Sequence, residues 1–287
     1  FATPFEIPRA YGNYDELLAD SNVQAVYIPL PNSQHASWAI KAMQAGKHVL
    51  VEKPFALTAD EAQLMVSTAL ENSVVLMEGF MYRYSERFEK IHELVRSGAI
   101  GKIRLIQSSF SFTLGNPDDI RLASDLGGGA LYDLGCYNVN LQRQLVGREP
   151  TSVQAICQMS KSGVDLQTVA TLDFGDQVFG QFMVSFNADG SQFLRVVGSA
   201  GTLHIEKPFL LIGEGTSATL SVAGKETKHI NFRAENDYKR MLDHFYNVAV
   251  SKDVPRFPLS DAINNLVVID ALFQSAVQNG STVYLKS

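Results

Sequence analysis

Hydrophobic and polar positions change their rhythm twice along the chain. Val23 to Ile28 forms a short apolar strand that ends at Pro29-Leu30-Pro31-Asn32. Ala36, Ala39, Ile40 and Met43 then recur at helical spacing. Val49, Leu50 and Val51 make a second apolar run, β-branched at two of three places, which suits a strand buried on both faces. Thr58-Ala-Asp-Glu61 is a capping box, followed by Ala62, Met65, Val66 and Ala69 on one helical face, and Val74 to Met77 predicts a third strand. Asn13-Tyr-Asp-Glu16 caps a shorter helix upstream. Short strands alternating with helices of this length predict βαβ units and a parallel sheet.

After Tyr84 the texture differs. A helix is predicted over 85–97, with Phe88, Ile91, Leu94 and Val95 inward, then a strand over 102–112, a loop over 113–126 ending in Gly127-Gly128-Gly129, and a helix over 130–146. Strands are predicted at 151–159, 166–174, 177–186, 193–197, 201–206 and 218–223, several with strict alternation such as Val153, Ala155, Cys157 and Met159. That pattern belongs to a largely antiparallel sheet covered on one face. Helices near 235–251 and 260–279 end the chain. The expected fold class is therefore α/β plus α+β: a Rossmann-like parallel sheet over 1–80, then a domain with an open, largely antiparallel sheet over 81–287. No low-complexity linker divides them, so an intimate pair of domains is expected, with the C-terminal helices free to pack back on the first.

The chain of 287 residues is 46% hydrophobic and 19% charged, enough for a sizeable core. A net charge of −6 and the lack of any Lys/Arg run argue against a nucleic-acid groove, and no apolar segment reaches membrane-spanning length. Two cysteines, Cys136 and Cys157, both in apolar patterns, read as buried free thiols in a reducing compartment; a cytoplasmic location is expected, with an export signal ahead of residue 1 left open. The six histidines show no metal-binding spacing, and no metal is expected.

Candidate chemistry gathers at two places. Glu52-Lys53-Pro54 follows the second predicted strand, and the residue before proline is driven out of the α region, which leaves Lys53 extended at the C-terminal lip where open α/β sheets bind ligands. A carboxylate and an ammonium there are either a salt-bridged strand end or a catalytic pair. In the second place, a helix over 130–145 sets Asp133, Tyr137 and Asn140 at i, i+4 and i+7 on one face, either a solvated stripe or an acid–base and hydroxyl-binding face. Tyrosine's ordinary pKa near 10 is too high for a base at neutral pH, but a nearby ammonium lowers it, so Lys53 and Tyr137 together would form a proton shuttle.

These residues resemble the glucose-fructose oxidoreductase / inositol dehydrogenase (Gfo/Idh/MocA) family along essentially the whole chain. The matches are Pro29-Leu-Pro-Asn32 with His35, Ala45-Gly-Lys-His48 through Glu52-Lys53-Pro54, Met81-Tyr-Arg83, Gly98-Ala-Ile-Gly101, Gly127 through Asp133-Leu-Gly135, and Gly198-Ser-Ala-Gly-Thr202. The resemblance implies NAD or NADP as cofactor, a sugar or cyclic polyol as substrate, and a homo-oligomer, dimer or tetramer, formed through the open sheet. It implies Lys53 as the catalytic lysine and Asp133 as a substrate-hydroxyl partner. Many members carry histidine, then aspartate, where this chain has Tyr137 and Asn140; the tyrosine version is similar to the glucose-fructose oxidoreductase, dihydrodiol dehydrogenase and xylose dehydrogenase branch. Tyr137 is then the acid–base, Arg83 and Asn140 join Lys53 and Asp133 around the substrate, and Pro29, Asn32, His35, Glu52, Lys53 and Arg83 face the cofactor.

Two departures stand out. The glycine-rich strand–turn–helix expected at the start of such a domain is missing, and the first βαβ unit is expected upstream of Phe1. A Gly-x-Gly-x-x-Ala at Gly213 to Ala218 precedes a strand-like stretch and reads as a hairpin. In addition, Ile205-Glu-Lys-Pro-Phe209 nearly repeats Val51-Glu-Lys-Pro-Phe55, and reads as a strand end with solvated charges. The missing loop leaves one alternative to an enzyme: a non-catalytic ligand-sensing or assembly protein, or an inactive fragment, on the same scaffold.

Overall fold

The computed structural model describes residues 3–210 and 215–285. In chain order the helices and strands are α1 (Tyr14–Ala19), β1 (Ala25–Ile28), α2 (His35–Gln44), β2 (His48–Glu52), α3 (Ala59–Glu71), β3 (Leu76–Gly79), α4 (Glu86–Arg96) and β4 (Ile103–Ser111). They continue with α5 (Cys136–Val146), β5 (Ser152–Met159), β6 (Asp165–Asp173), β7 (Phe179–Ser185), β8 (Ser191–Gly198), β9 (Gly201–Glu206), β10 (Thr216–Val222), β11 (Lys228–Phe232), α6 (Asp237–Ser251), α7 (Leu259–Val277) and β12 (Val283–Tyr284).

Strands β1, β2 and β3 form a parallel sheet in that order. Val49, Leu50 and Val51 are fully buried in its central strand, as a run without alternation requires. The expected capping boxes form: the Asn13 side chain accepts from the Glu16 amide at 2.9 Å, and Thr58 Oγ1 accepts from the Glu61 amide at 3.2 Å. The edge of β1 borders an apolar groove lined by Leu17, Leu18, Val26 and Trp38.

The second sheet has nine strands in the order β11-β10-β9-β8-β4-β7-β6-β5-β12, antiparallel except for the β4–β7 pair. One transverse row shows how alternation sets its register: Ala155, Ala170, Phe182, Ser108, Leu194, Ile205 and Ala218 lie side by side and are all buried. The next row on the opposite face, Ile156, Val169 and Met183, is open to solvent or nearly so. Helices α5 and α7 cover the inner face, and α7 also packs on α3 and β3, joining the two sheets. The β9–β10 hairpin is formed, whereas Gly213 lies outside the described residues. Strands β11 and β12, too short or too polar to stand out in the sequence, extend the sheet at both edges.

The helix predicted over 130–146 begins differently. Leu131–Gly135 is a π-type turn, and the regular α-helix starts only at Cys136. Wider winding rotates Asp133 relative to the residues beyond it, so spacing counted at 3.6 residues per turn misplaces Asn140.

Candidate active site

Lys53 stands just beyond β2, joined to Pro54 by a cis peptide bond, and reaches across to the helix behind the triple glycine. Its Nζ lies 2.7 Å from Asp133 Oδ1 and 3.0 Å from the Asp133 carbonyl oxygen. Both side chains of this pair are 15% exposed. Burial opposes the Lys53 charge, but Asp133 outweighs it and holds the pKa above the ordinary lysine value. Burial likewise opposes the Asp133 charge; Lys53 and Arg121 overcome it and keep the carboxyl ionised.

Arg121 went unnoticed in the sequence. It lies in a short 3-10 turn, Ile120–Leu122, and its Nε donates to Asp133 Oδ2 at 2.9 Å, while Nη1 reaches Asp119. Each Asp133 oxygen thus holds a different cation. The glycines make this approach feasible. A Cβ on Gly128 would sit 2.4 Å from the Arg121 carbonyl oxygen, and Gly129, at φ +121°, would meet Asp165 Oδ1. Asp165 in turn accepts from the Leu131 amide at 2.8 Å and from Thr168 Oγ1 at 2.6 Å, anchoring the start of the π-type turn.

Tyr137 meets Lys53 by its ring, not its hydroxyl: Nζ is 5.1 Å from the ring centroid. The hydroxyl is 3.5 Å from Met81 Sδ, a weak acceptor. The ring lies among Phe80, Tyr82, Phe110 and Phe209. Burial pushes the Tyr137 pKa well above 10, the opposite of the lowering expected from a neighbouring ammonium. The ammonium's charge is directed at Asp133, and the phenol stays neutral.

The cleft has a volume of about 380 Å³ and is lined by Pro29, Asn32, His35, Glu52, Lys53, Asp133 and Tyr137 together with Arg121, Phe110, Phe112 and Tyr238. Asn32 Nδ2 donates to the Gly127 carbonyl at 2.8 Å, fastening the glycine loop to β1's lip. His35 is fully buried, its ring nitrogens each 2.8 Å from the carbonyl oxygens of Pro54 and Leu30; burial lowers its pKa against those two contacts. Glu52 accepts from the Tyr27 hydroxyl, and its Oε2 accepts from the Lys53 amide at 3.2 Å.

Two candidates lie elsewhere. Arg83 and Asn140 do not line the cleft but belong to a buried network behind it. Arg83 Nη1 is 2.5 Å from Asp261 Oδ2 and Nη2 is 3.6 Å from Glu78 Oε2. Asn140 accepts from the Tyr82 hydroxyl at 2.6 Å and donates to Asp261 at 3.2 Å. A guanidinium that is 3% exposed needs a carboxylate more than substrate, and Asp261 supplies it, with the Glu78 carboxyl beside it. Glu78 also accepts from the Phe55 amide at 3.1 Å, so this network steadies the chain just past Lys53.

Comparison with known proteins bears on the family and the fold. Residues 1–80 match the oxidoreductase family NAD-binding Rossmann fold, and residues 88–204 match the GFO/IDH/MocA C-terminal domain. A D-xylose 1-dehydrogenase (NADP(+)) of Haloferax volcanii is 34% identical over 284 residues, covering 97% of this chain and 86% of that protein. The chain belongs to the GFO/IDH/MocA oxidoreductase family. A trans-1,2-dihydrobenzene-1,2-diol dehydrogenase of Mus musculus is 34% identical over 239 residues, 80% of this chain and 71% of that one. The aldose-aldose oxidoreductase of Caulobacter crescentus, solved with glycerol, superposes with a TM-score of 0.90 at 27% identity, covering 99% of this chain and 87% of its own. This GFO/IDH/MocA member is thus an oxidoreductase with a nicotinamide dinucleotide as cofactor, NAD or NADP. The cleft suits the nicotinamide end of that molecule: Pro29 and Leu30 offer an apolar wall, and the Tyr27–Glu52 pair offers acceptors for ribose hydroxyls. Among the described residues no strand of the parallel sheet runs through a glycine-rich turn into a helix.

Proposed function

We propose that the chain oxidises or reduces one carbon of a sugar or cyclic polyol, with Lys53, Asp133 and Tyr137 as the groups that meet the substrate. When bound, the nicotinamide supplies or accepts the hydride. Tyr137 gives its hydroxyl proton to the carbonyl oxygen during reduction, because a substrate oxygen is a far better acceptor than Met81 Sδ. Lys53 Nζ, held by Asp133, donates a hydrogen bond to the same oxygen and stabilises the charge developing there. Arg121 and Asp133 orient a neighbouring hydroxyl, while Phe110, Phe112 and Leu126 border the ring's apolar side. Glu52, with Pro29, Asn32 and His35 around it, holds the cofactor's ribose side.

The observation that carries this reading is the Lys53–Asp133 contact of 2.7 Å in a cleft that Tyr137 also lines. A neutral tyrosine favours reduction near pH 7 and oxidation at higher pH, where losing its proton costs less. The reading also takes residue 80 as the boundary between a nucleotide-binding and a substrate-binding part. It assigns the open sheet face, with Ile156, Val169 and Phe179 exposed, to a homo-oligomer contact, checked by light scattering of Val169→Glu. Free Cys136 and Cys157 (the first buried, the second partly so) suit a reducing compartment such as the cytoplasm.

The test is a fluorescence titration with NADH and NADPH, followed by a 340 nm screen of D-xylose, D-glucose, myo-inositol and trans-1,2-cyclohexanediol. Dinucleotide binding tighter than about millimolar and turnover of at least one ring substrate are expected. Failure to bind either dinucleotide would contradict the assignment.

A further inference from the structure

A second cavity, about 640 Å³ in volume, opens at the C-terminal end of α5, where Gly147 and Arg148 meet α4 and the start of α7. Four arginines line it: Arg96, Arg143, Arg148 and Arg256. Four carboxylates line it too, and their partners decide the balance. Glu89 is taken by Arg256, Glu149 by Arg143, Asp261 by Arg83 and Arg143, and Glu93 by Lys90 from outside the cavity. Arg148 pairs with Asp176, which is 83% exposed and easily displaced by a stronger acceptor. Arg96 has no carboxylate among the described residues.

Uncharged donors point the same way. His92 Nε2 is shut off from water and has no hydrogen-bond partner among the described residues. Burial lowers the His92 pKa to about 4, and Arg96 and Arg256 add to that shift, which marks a positive potential at the ring. Pro258, the N-cap of the 19-residue α7, offers no side-chain cap, and Ser260 in its first turn faces the cavity. Phe88 and Phe257 form apolar walls beside these donors.

We infer that this cavity binds a phosphate group, with Arg96 and Arg148 on its oxygens and the His92 ring beside it. Planar guanidinium forks suit such oxygens, and charge-assisted bonds to them are strong. The site stands apart from the cleft and independently of the oxidoreductase reading.

Calorimetry with inorganic phosphate and with ribose 5-phosphate, in chloride of matched ionic strength, tests the inference on the whole chain. Saturable binding of one phosphate is expected, weakened more than ~10-fold in Arg96→Glu, nearly kept in Arg96→Lys, and unchanged in Lys53→Met. Tighter binding of the ester assigns the aromatic walls to its sugar; equal binding identifies the free ion as the occupant. In the unaltered protein the His92 ring resonances should also shift with phosphate and its pKa should rise, which keeps the test sharp even if Arg96→Glu does not fold. Heat no greater than the chloride control, loss of binding in Lys53→Met with Arg96→Glu unaffected, or a still His92 would each overturn it.

Discussion

The chain writes Glu-Lys-Pro-Phe twice, at 52–55 and at 206–209, and the fold treats the copies differently. Both phenylalanines are fully buried. In the first copy the lysine follows a parallel strand and points over the lip to Asp133. In the second, Glu206 closes an antiparallel strand, and Lys207 turns outward at φ +49°, exposed to solvent. Parallel strands all end on one side, so their lips gather side chains from several elements into one cleft, whereas an antiparallel strand end is followed by its own returning neighbour. The motif acquires chemistry from the sheet that presents it. The second copy still contributes, since Phe209 packs against the Tyr137 ring and Leu210 reaches the cleft.

The largest effect should separate the two lysines. Lys53→Met is expected to cut kcat/KM by at least ~10³-fold with the fold intact, and Lys207→Met to change it less than about twofold, measured by steady-state reduction of the nicotinamide. Equal losses would erase the distinction between the copies. Tyr137→Phe should follow at roughly 10²-fold in kcat, with little change in Tm because, among the described residues, the hydroxyl's hydrogen-bond partner is the weak acceptor Met81 Sδ.

Stability experiments reach the network behind the first copy; the second copy rests on a smaller one, where buried Arg87 donates to the Pro208 carbonyl at 3.0 Å and pairs with Asp237 at 3.1 Å. Asp261→Asn leaves Arg83 and Arg143 short of charge in a buried site and should cost about 3–5 kcal/mol in urea unfolding. Glu78 gives a smaller, pH-dependent effect. Burial raises its pKa from 4.5 to about 7 despite Arg83, so its contribution to stability is lost as pH rises from about 4.5 to about 7. Glu78→Gln cannot ionise. Its stability relative to the parent should therefore improve across that window by up to about 3 kcal/mol and level off above it. A constant difference from pH 4 to pH 8 would remove Glu78 as the titrating group.

Much of this arrangement was legible beforehand, and what escaped has physical causes. The parallel unit and the sheet alternation follow from local patterns that tertiary contacts reinforce, whereas the Lys53 ammonium, expected against the Tyr137 hydroxyl, meets Asp133, 80 residues away. Arg121 escaped because its approach to Asp133 depends on how a loop folds around Gly128, and no periodicity records that. Arg83 and Asn140 were drawn to the cleft by motif and spacing. Their partner Asp261 lies 178 and 121 residues away, too distant for any local signal. The phenolate expectation failed because proximity was taken as contact with the hydroxyl, while the ammonium sits over the ring.

The central claim is that the lip of the parallel sheet holds the Lys53 ammonium on Asp133, and NMR of the lysine ammonium groups tests it most directly. Lys53 should give a slowly exchanging NH3+ resonance that persists above its ordinary pKa of 10.5 and collapses in Asp133→Asn. A Lys53 resonance that titrates at or below that value, or that ignores the loss of the Asp133 charge, would contradict the account.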